Sequence, residues 1–207
     1  SILLARSRRL DIAMILGMIT GATILVKSSG MFFLLLIPFA YVLVADFKKI
    51  FRRDTLNYLI LVLVSWFIAG VMYNVQRLSP WMNMIGEKNA FFIVPYGEMF
   101  KEFNRLSNNF LDVWRWQLAY TTIPMLLASL YGLLIMFKKN WRPALLLSAW
   151  LFGPMLGTIL LARLFAPRYI VFVTPFFLFF ASYALASLST YKARLLATVV
   201  VSVMPVF

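Results

Sequence analysis

Hydrophobic runs dominate this chain. They are long enough to cross a hydrocarbon core, which takes roughly 20 apolar residues per helix, and short basic clusters divide them. The runs are Ile12 to Val26, Met31 to Phe47, Leu56 to Val75, Trp116 to Phe137, Pro143 to Phe165, Ile170 to Leu188, and Leu195 to Phe207. A soluble core cannot absorb so many uninterrupted blocks. Composition agrees: 63% of residues are apolar and 13% charged, against roughly 45–50% and 25% in soluble domains. The expected fold is all-α, a polytopic transmembrane bundle of about seven spans with the last one cut short.

Lys and Arg in short loops set orientation. Alternating spans from an inner N-terminus gathers Arg6, Arg8, Arg9, Lys48, Lys49, Arg52, Arg53, Lys138, Lys139, Arg142, Lys192 and Arg194 on one side. Lys27, Arg77, Lys88, Lys101, Arg105, Arg115, Arg163 and Arg168 fall on the other. Four compact clusters thus share the inner face, which makes the N-terminus cytoplasmic. The net charge of +13 is then retention charge lying against an anionic leaflet. Nucleic acid is excluded as a partner, since it would need one contiguous basic face, and here the charges are divided between spans.

Cysteine and histidine are absent. Thiolate and imidazole chemistry, disulfides and Cys/His zinc sites are therefore excluded. The chain opens on Ser1-Ile2-Leu3-Leu4-Ala5-Arg6, like the tail of a helix, and closes inside an apolar run. It reads as one transmembrane region over 1–207, part of a longer protein with at least one span before Ser1.

The stretch 76–115 is expected as an external loop. From Tyr96, the residues Met99, Phe100, Phe103, Leu106 and Phe110 recur at spacings of three and four. Glu98, Lys101, Glu102 and Arg105 fill the opposite face, with Pro95 at the first turn. That pattern predicts a short amphipathic helix in the interface plane.

Three sets of residues on the outer face are candidates for a site. Lys27 ends the first span, before Ser28-Ser29-Gly30, and can either snorkel to the interface or bind phosphate. Arg168-Tyr169 opens the sixth span, as an interfacial anchor or a guanidinium fork for phosphate. Arg77 and Glu87-Lys88-Asn89 lie in the loop as solvated surface, or else Glu87, its only carboxylate before the amphipathic helix, serves proton transfer or a metal.

The run from Gly17 to Leu34, centred on Val26-Lys27-Ser28-Ser29-Gly30, resembles the "G-hydrophobic-TK-x-x-G-hydrophobic" segment of the GT-C glycosyltransferases. It is similar in particular to the dolichyl-phosphate-mannose–protein mannosyltransferase-like group, which includes bacterial aminoarabinose transferases. Val26 stands where the family has threonine. Phe165-Ala166-Pro167-Arg168-Tyr169 through Pro175 resembles that group's "RY-hydrophobic-P" helix start, and Tyr73 to Pro80 with Gly86 to Asn89 resembles its external loop.

The resemblance implies transfer of a sugar from a polyprenyl-phosphate carrier to a protein, lipid or glycan acceptor on the external face. The membrane would be the plasma membrane of a prokaryote. Lys27, Arg77 and Arg168 would hold the donor phosphate, and Tyr73, Glu87, Lys88, Asn89 and Tyr169 would shape the donor and acceptor pocket. The catalytic carboxylate is expected upstream of Ser1. No covalently bound cofactor or metal ligand set is implied, and the metal requirement stays open. The alternatives are a transporter or lipid flippase, which needs polar mid-membrane groups or broken helices, and a non-catalytic assembly subunit.

Overall fold

The computed structural model describes residues 1–45 and 53–202. Lys48, Lys49 and Arg52 of one basic cluster, the end of the second apolar run and the last residues of the seventh lie outside the described residues. The chain divides into two compact units, Ser1–Ala90 and Phe91–Phe207.

The first unit holds α1 (Ile2–Ser7), α2 (Leu10–Val26), α3 (Gly30–Leu36), which tightens into a 3-10 turn over Ile37–Leu43, and α4 (Arg53–Asn74), extended by a 3-10 turn at Val75–Leu78. α5 (Met82–Phe92) runs across the boundary. The second unit holds α6 (Phe103–Thr121), α7 (Ile123–Lys139), α8 (Trp141–Leu161), α9 (Thr174–Ala186) and α10 (Tyr191–Ser202). Among the described residues the only β pairing is an isolated bridge between Ile93 and Ala162. The fold is all-α.

By length and composition, three helical segments can cross a membrane: Arg53–Leu78, Trp141–Leu161 and Pro167–Ala186. A fourth is reached if α6 and α7 count together as one bent span. Leu10–Val26 and Gly30–Leu43 are apolar but shorter. The apolar faces point outward: Ile19 is 60% exposed, Leu63 57% and Phe67 72%. Patches of that kind need an apolar solvent, so the chain belongs with multi-pass membrane proteins and its solvent is the bilayer.

Within the first unit α2 and α4 run parallel, because Ala13 and Gly17 meet α4 at Ser65 while Gly21 meets it at Ala69 and Met72. α3 and its 3-10 extension return between them. Trp66 Nε1 donates to the Leu34 carbonyl (3.0 Å), Tyr58 Oη to the Ile37 carbonyl (2.8 Å), and Tyr41 Oη meets Thr55 Oγ1 at 2.7 Å. This up-down-up order is what the alternating spans predict. The second unit repeats it: α7 and α9 are parallel, with Ser129 against Phe177 and Gly132 against Phe180, and α8 connects the far end of one to the near end of the other.

Lipid tails give helices no hydrophobic reason to associate, so close packing and interhelical hydrogen bonds must do it. Gly17-x-x-x-Gly21 supplies the close packing in the first unit; an added Cβ would come within 2.7 Å of the Ser65 carbonyl oxygen at Gly17 and 2.9 Å of Met72 Cβ at Gly21. Ser65 Oγ crosses to the Ala13 carbonyl at 2.8 Å. In the second unit Gly132 lies flat on α9, where a Cβ would overlap the Phe180 carbonyl oxygen, and Ser129 Oγ donates to the Phe177 carbonyl at 2.7 Å.

Two sequence expectations are corrected. The fourth run, Trp116 to Phe137, is not one straight helix: α6 and α7 meet at Thr122 with a bend of 104°. Pro124 explains the place, because inside a continuous helix it would leave the Tyr120 carbonyl without its donor, whereas in the first turn of a new helix its missing N–H costs nothing. Thr122 takes the strain, at φ 64° and ψ 155°, a region seldom entered by residues other than glycine. Within 76–115 the backbone is also largely helical, with α5 where an irregular stretch is expected. Its amphipathic helix begins at Phe103, not Tyr96, and runs on to Thr121; Tyr96–Glu98 is a separate 3-10 turn after Pro95.

Gly132→Ala should destabilise the protein by about 1–3 kcal/mol, the usual cost of overpacking. Gly70→Ala, which meets nothing within 4 Å, should be close to neutral. Thermal unfolding of both variants in detergent micelles checks the difference.

Candidate functional site

The parallel helices settle which end of each unit the candidate residues occupy. In the first unit Arg8 pairs with Asp54 at 2.7 Å where α2 and α4 begin. Beside it Arg9 forks onto Asp11 at 2.6 and 3.1 Å, which holds that carboxyl below the usual carboxylate range. Lys27, which ends α2, and Tyr73 and Arg77, which end α4 and its extension, stand together at the opposite end.

The turn that presents Lys27 is tight. Gly30 N donates to the Lys27 carbonyl at 2.9 Å, and a Cβ on Gly30 would press at 3.0 Å against the backbone of Thr23 and Ile24. Lys27 and Arg77 are exposed and Tyr73 is half-buried. Glu87 and Lys88 are exposed on α5, a helix where an irregular loop is expected, and Asn89 belongs to the same helix.

In the second unit Lys138, Lys139 and Arg142 occupy the α7–α8 turn, and Lys192 and Arg194 lie near the start of α10. These basic residues share one end. Arg168 and Tyr169 stand at the other, in the 3-10 turn Pro167–Tyr169 that leads toward α9. Arg168 is exposed and its Cζ lies 5.5 Å over the ring of half-buried Tyr169, a cation–π contact. The structure thus brings Lys27, Arg77 and Tyr73 to one end of their unit, and Arg168 with Tyr169 to one end of theirs.

One arrangement at that end of the second unit escapes the sequence. The last carbonyls of a helix have no partner within it, yet every one at the end of α8 is taken. Asn109 Nδ2 donates to Ile159 O (3.0 Å) and Ala162 O (2.9 Å). Arg105 Nη1 donates to Leu160 O and Ala162 O, both at 3.1 Å, and its Nη2 to Met99 O at 2.8 Å. Val94 N reaches Leu161 O at 2.8 Å, and Arg163 N returns a bond to Phe92 O at 2.9 Å. Glu102 pairs with Arg105 at 3.3 Å through charge, without hydrogen-bond geometry. A cation at a helix C-terminus also meets the favourable end of its dipole. Arg105, read from the sequence as part of a polar surface, is 9% exposed in its side chain.

Consequently both ends of α6 are fixed at one end of the unit: its start caps the C-terminus of α8 and its last residue joins the N-terminus of α7. α6 lies across the bundle there, and around its axis it shows three sectors. Asn109, Val113 and Gln117 are buried. Phe103, Phe110, Leu111 and Leu118 are apolar and exposed. Asn104, Asn108 and Arg115 are polar and exposed, with Asp112 half-exposed among them. An open, shallow groove lies where the last two sectors meet, lined by Asn108, Leu111, Asp112 and Arg115, all on α6 itself. Sequence periodicity finds the apolar sector but not the burial of Arg105 and Asn109, because polar side chains at i and i+4 read as surface.

Among the described residues no three carboxylates, histidines or cysteines converge as a metal site. Chemically, the end of each unit that carries the candidates offers exposed cations beside apolar helix faces, which suits an anionic group attached to an apolar tail. No protein-family model, curated protein or solved structure matches the chain.

Arg105→Lys should loosen the end of α8, because an ammonium cannot span two carbonyls and Met99 O as the planar fork does. The loss is about 1.5–3 kcal/mol of local stability. Faster hydrogen exchange at the Val94 and Arg163 amides, with α2 and α4 unchanged, is the expected readout.

Proposed function

We propose that this chain is the membrane region of a glycosyltransferase that takes a sugar from a polyprenyl-phosphate carrier and passes it to a protein, lipid or glycan acceptor on the external face. In this reading the apolar runs lie in the plasma membrane of a prokaryote with the N-terminus cytoplasmic, the fourth entering it through α7 alone, and α6 with residues 116–121 lies in the plane of the outer interface. Lys27, Arg77 and Arg168 act on the donor phosphate. Tyr73 and Tyr169 border the lipid-linked sugar, with Glu87, Lys88 and Asn89 on the acceptor side.

The supporting observation is the polarity of the cations. In each unit the basic clusters take one end, while Lys27 with Arg77, or Arg168 on Tyr169, takes the other, at the margin of an apolar helix face. A carrier lipid arrives laterally from the bilayer, so its phosphate must be met at headgroup depth. Guanidinium and ammonium groups there neutralise the departing phosphate, the charge that develops as the sugar leaves.

A second reading, a transporter of lipid or polar solute, has one specific observation in its favour. Transport sites are built from discontinuous helices and buried polar groups. The α6–α7 break qualifies, and the amide of fully buried Gln117, one turn before it, meets no hydrogen-bond partner among the described residues.

Arg168→Ala and Lys27→Ala should each weaken binding of polyprenyl phosphate to the purified protein about tenfold, the worth of one charge-assisted contact. Lys138→Ala, at the other end of its unit, should leave it unchanged. Native mass spectrometry with added carrier measures all three, and equal affinities would refute the phosphate assignment. Movement of labelled substrate across proteoliposomes without sugar transfer would favour the transporter.

A further inference from the structure

The groove on α6 has a composition the donor chemistry does not use. Asp112 and Arg115 are one turn apart on the same face, yet they form no ion pair with each other. Among the described residues neither charge has a hydrogen-bond or ion-pair partner. Opposite charges at i and i+3 on an exposed helix ordinarily approach one another. Here they line an open, shallow groove on the surface of α6 together with Asn108 and Leu111. The groove straddles the line along α6 where exposed apolar residues give way to exposed polar ones.

We propose that this groove is a binding site for a phospholipid headgroup carrying a primary amine. Arg115 takes the phosphate, where a guanidinium matches two oxygens at once, and Asn108 adds an amide donor. Asp112 accepts from the protonated amine, and Leu111 packs against the first carbons of the lipid. The site is neutral as a whole, so it suits a zwitterion rather than an anionic lipid. It also separates two zwitterions: a primary ammonium has three N–H donors for the carboxylate, and a quaternary choline ammonium has none. The ligand would be a resident lipid or the lipid acceptor itself, with the same headgroup chemistry in either role. The inference rests on α6 lying at the membrane interface, as in the reading above.

The test uses the whole protein in nanodiscs of phosphatidylethanolamine, phosphatidylcholine or phosphatidylglycerol, with retained lipid counted by native mass spectrometry. Wild type should retain phosphatidylethanolamine over phosphatidylcholine by about two- to fivefold, the range of an exposed charge pair. Asp112→Asn should abolish that preference while keeping both lipids, and Arg115→Gln should lower retention of both. Preferential retention of phosphatidylglycerol, no discrimination, or a preference that survives Asp112→Asn would each overturn the proposal.

Because the chain has no cysteine, a spin label at Phe110→Cys reports the depth of α6 without background. A label accessible to water-soluble relaxants means that the interfacial placement itself has failed. A label in the acyl region with no headgroup preference means that only the groove assignment is wrong. If the lipid is also an acceptor, its amine gives up a proton to Asp112, the nitrogen bonds to the sugar's anomeric carbon as that carbon's bond to the carrier phosphate breaks, and the glycosylated headgroup appears in a transfer assay; a resident lipid stays unmodified.

Discussion

Close contact between helix backbones is the constraint on which the rest of this structure depends. Neither unit has water to drive its helices together, and each meets that difficulty with the same pair of devices. A glycine removes the side chain at the crossing, and a serine at the same crossing bonds across to a backbone carbonyl. In the first unit the glycines lie on α2 and Ser65 on α4; in the second Gly132 and Ser129 both lie on α7. Interhelical hydrogen bonds in membranes average only about 0.6 kcal/mol, so Ser65 and Ser129 serve chiefly to fix register. That fixed register is what carries Lys27 level with Arg77.

The second unit adds a polar junction at one end of its bundle. Irregular backbone at membrane depth is tolerated only where protein or water satisfies it. At the end of α8 protein supplies the partners: Arg105 and Asn109 from α6, with Val94 and Arg163 closing the remaining bonds. The same contacts that finish α8 also seat α6 across the bundle, so a helix end and a surface feature share one set of residues. α6 is left with a sector of aromatic and aliphatic side chains and a sector of amides and charges, the two chemistries that meet at a headgroup layer.

Much of this was legible in the sequence. Apolar run length gives the helical class and the up-down-up order, because those depend on hydropathy alone. The basic clusters give the end assignment of each candidate residue, since Lys138, Lys139 and Arg142 are separated from Arg168 by one helix length. Less was legible where tertiary contacts override local pattern. Trp116 to Phe137 has the hydropathy of one span, and only Pro124 hints at the break. Arg105 looked like surface because its carbonyl partners lie more than 50 residues away. Gly17 and Gly21 drew notice as part of a family-like segment, whereas in the fold they are contact points against α4. Lys27, Arg77 and Arg168 stand at the helix ends where the apolar runs place them, but no sequence pattern reports that the Arg168 guanidinium lies over the ring of Tyr169.

A single residue, Thr122, joins α6 to α7, and the rotation of both helices about their own axes is already set: by Arg105 and Asn109 on one side, by Ser129 and Gly132 on the other. One residue added or lost between positions 109 and 129 would turn one helix by about 100° and break one of those attachments. Length changes are easier to accommodate in the exposed turn at 79–81, which lies outside every helix and outside those attachments. Insertions and deletions in natural variants of this chain would therefore collect there, while the elbow keeps its residue count.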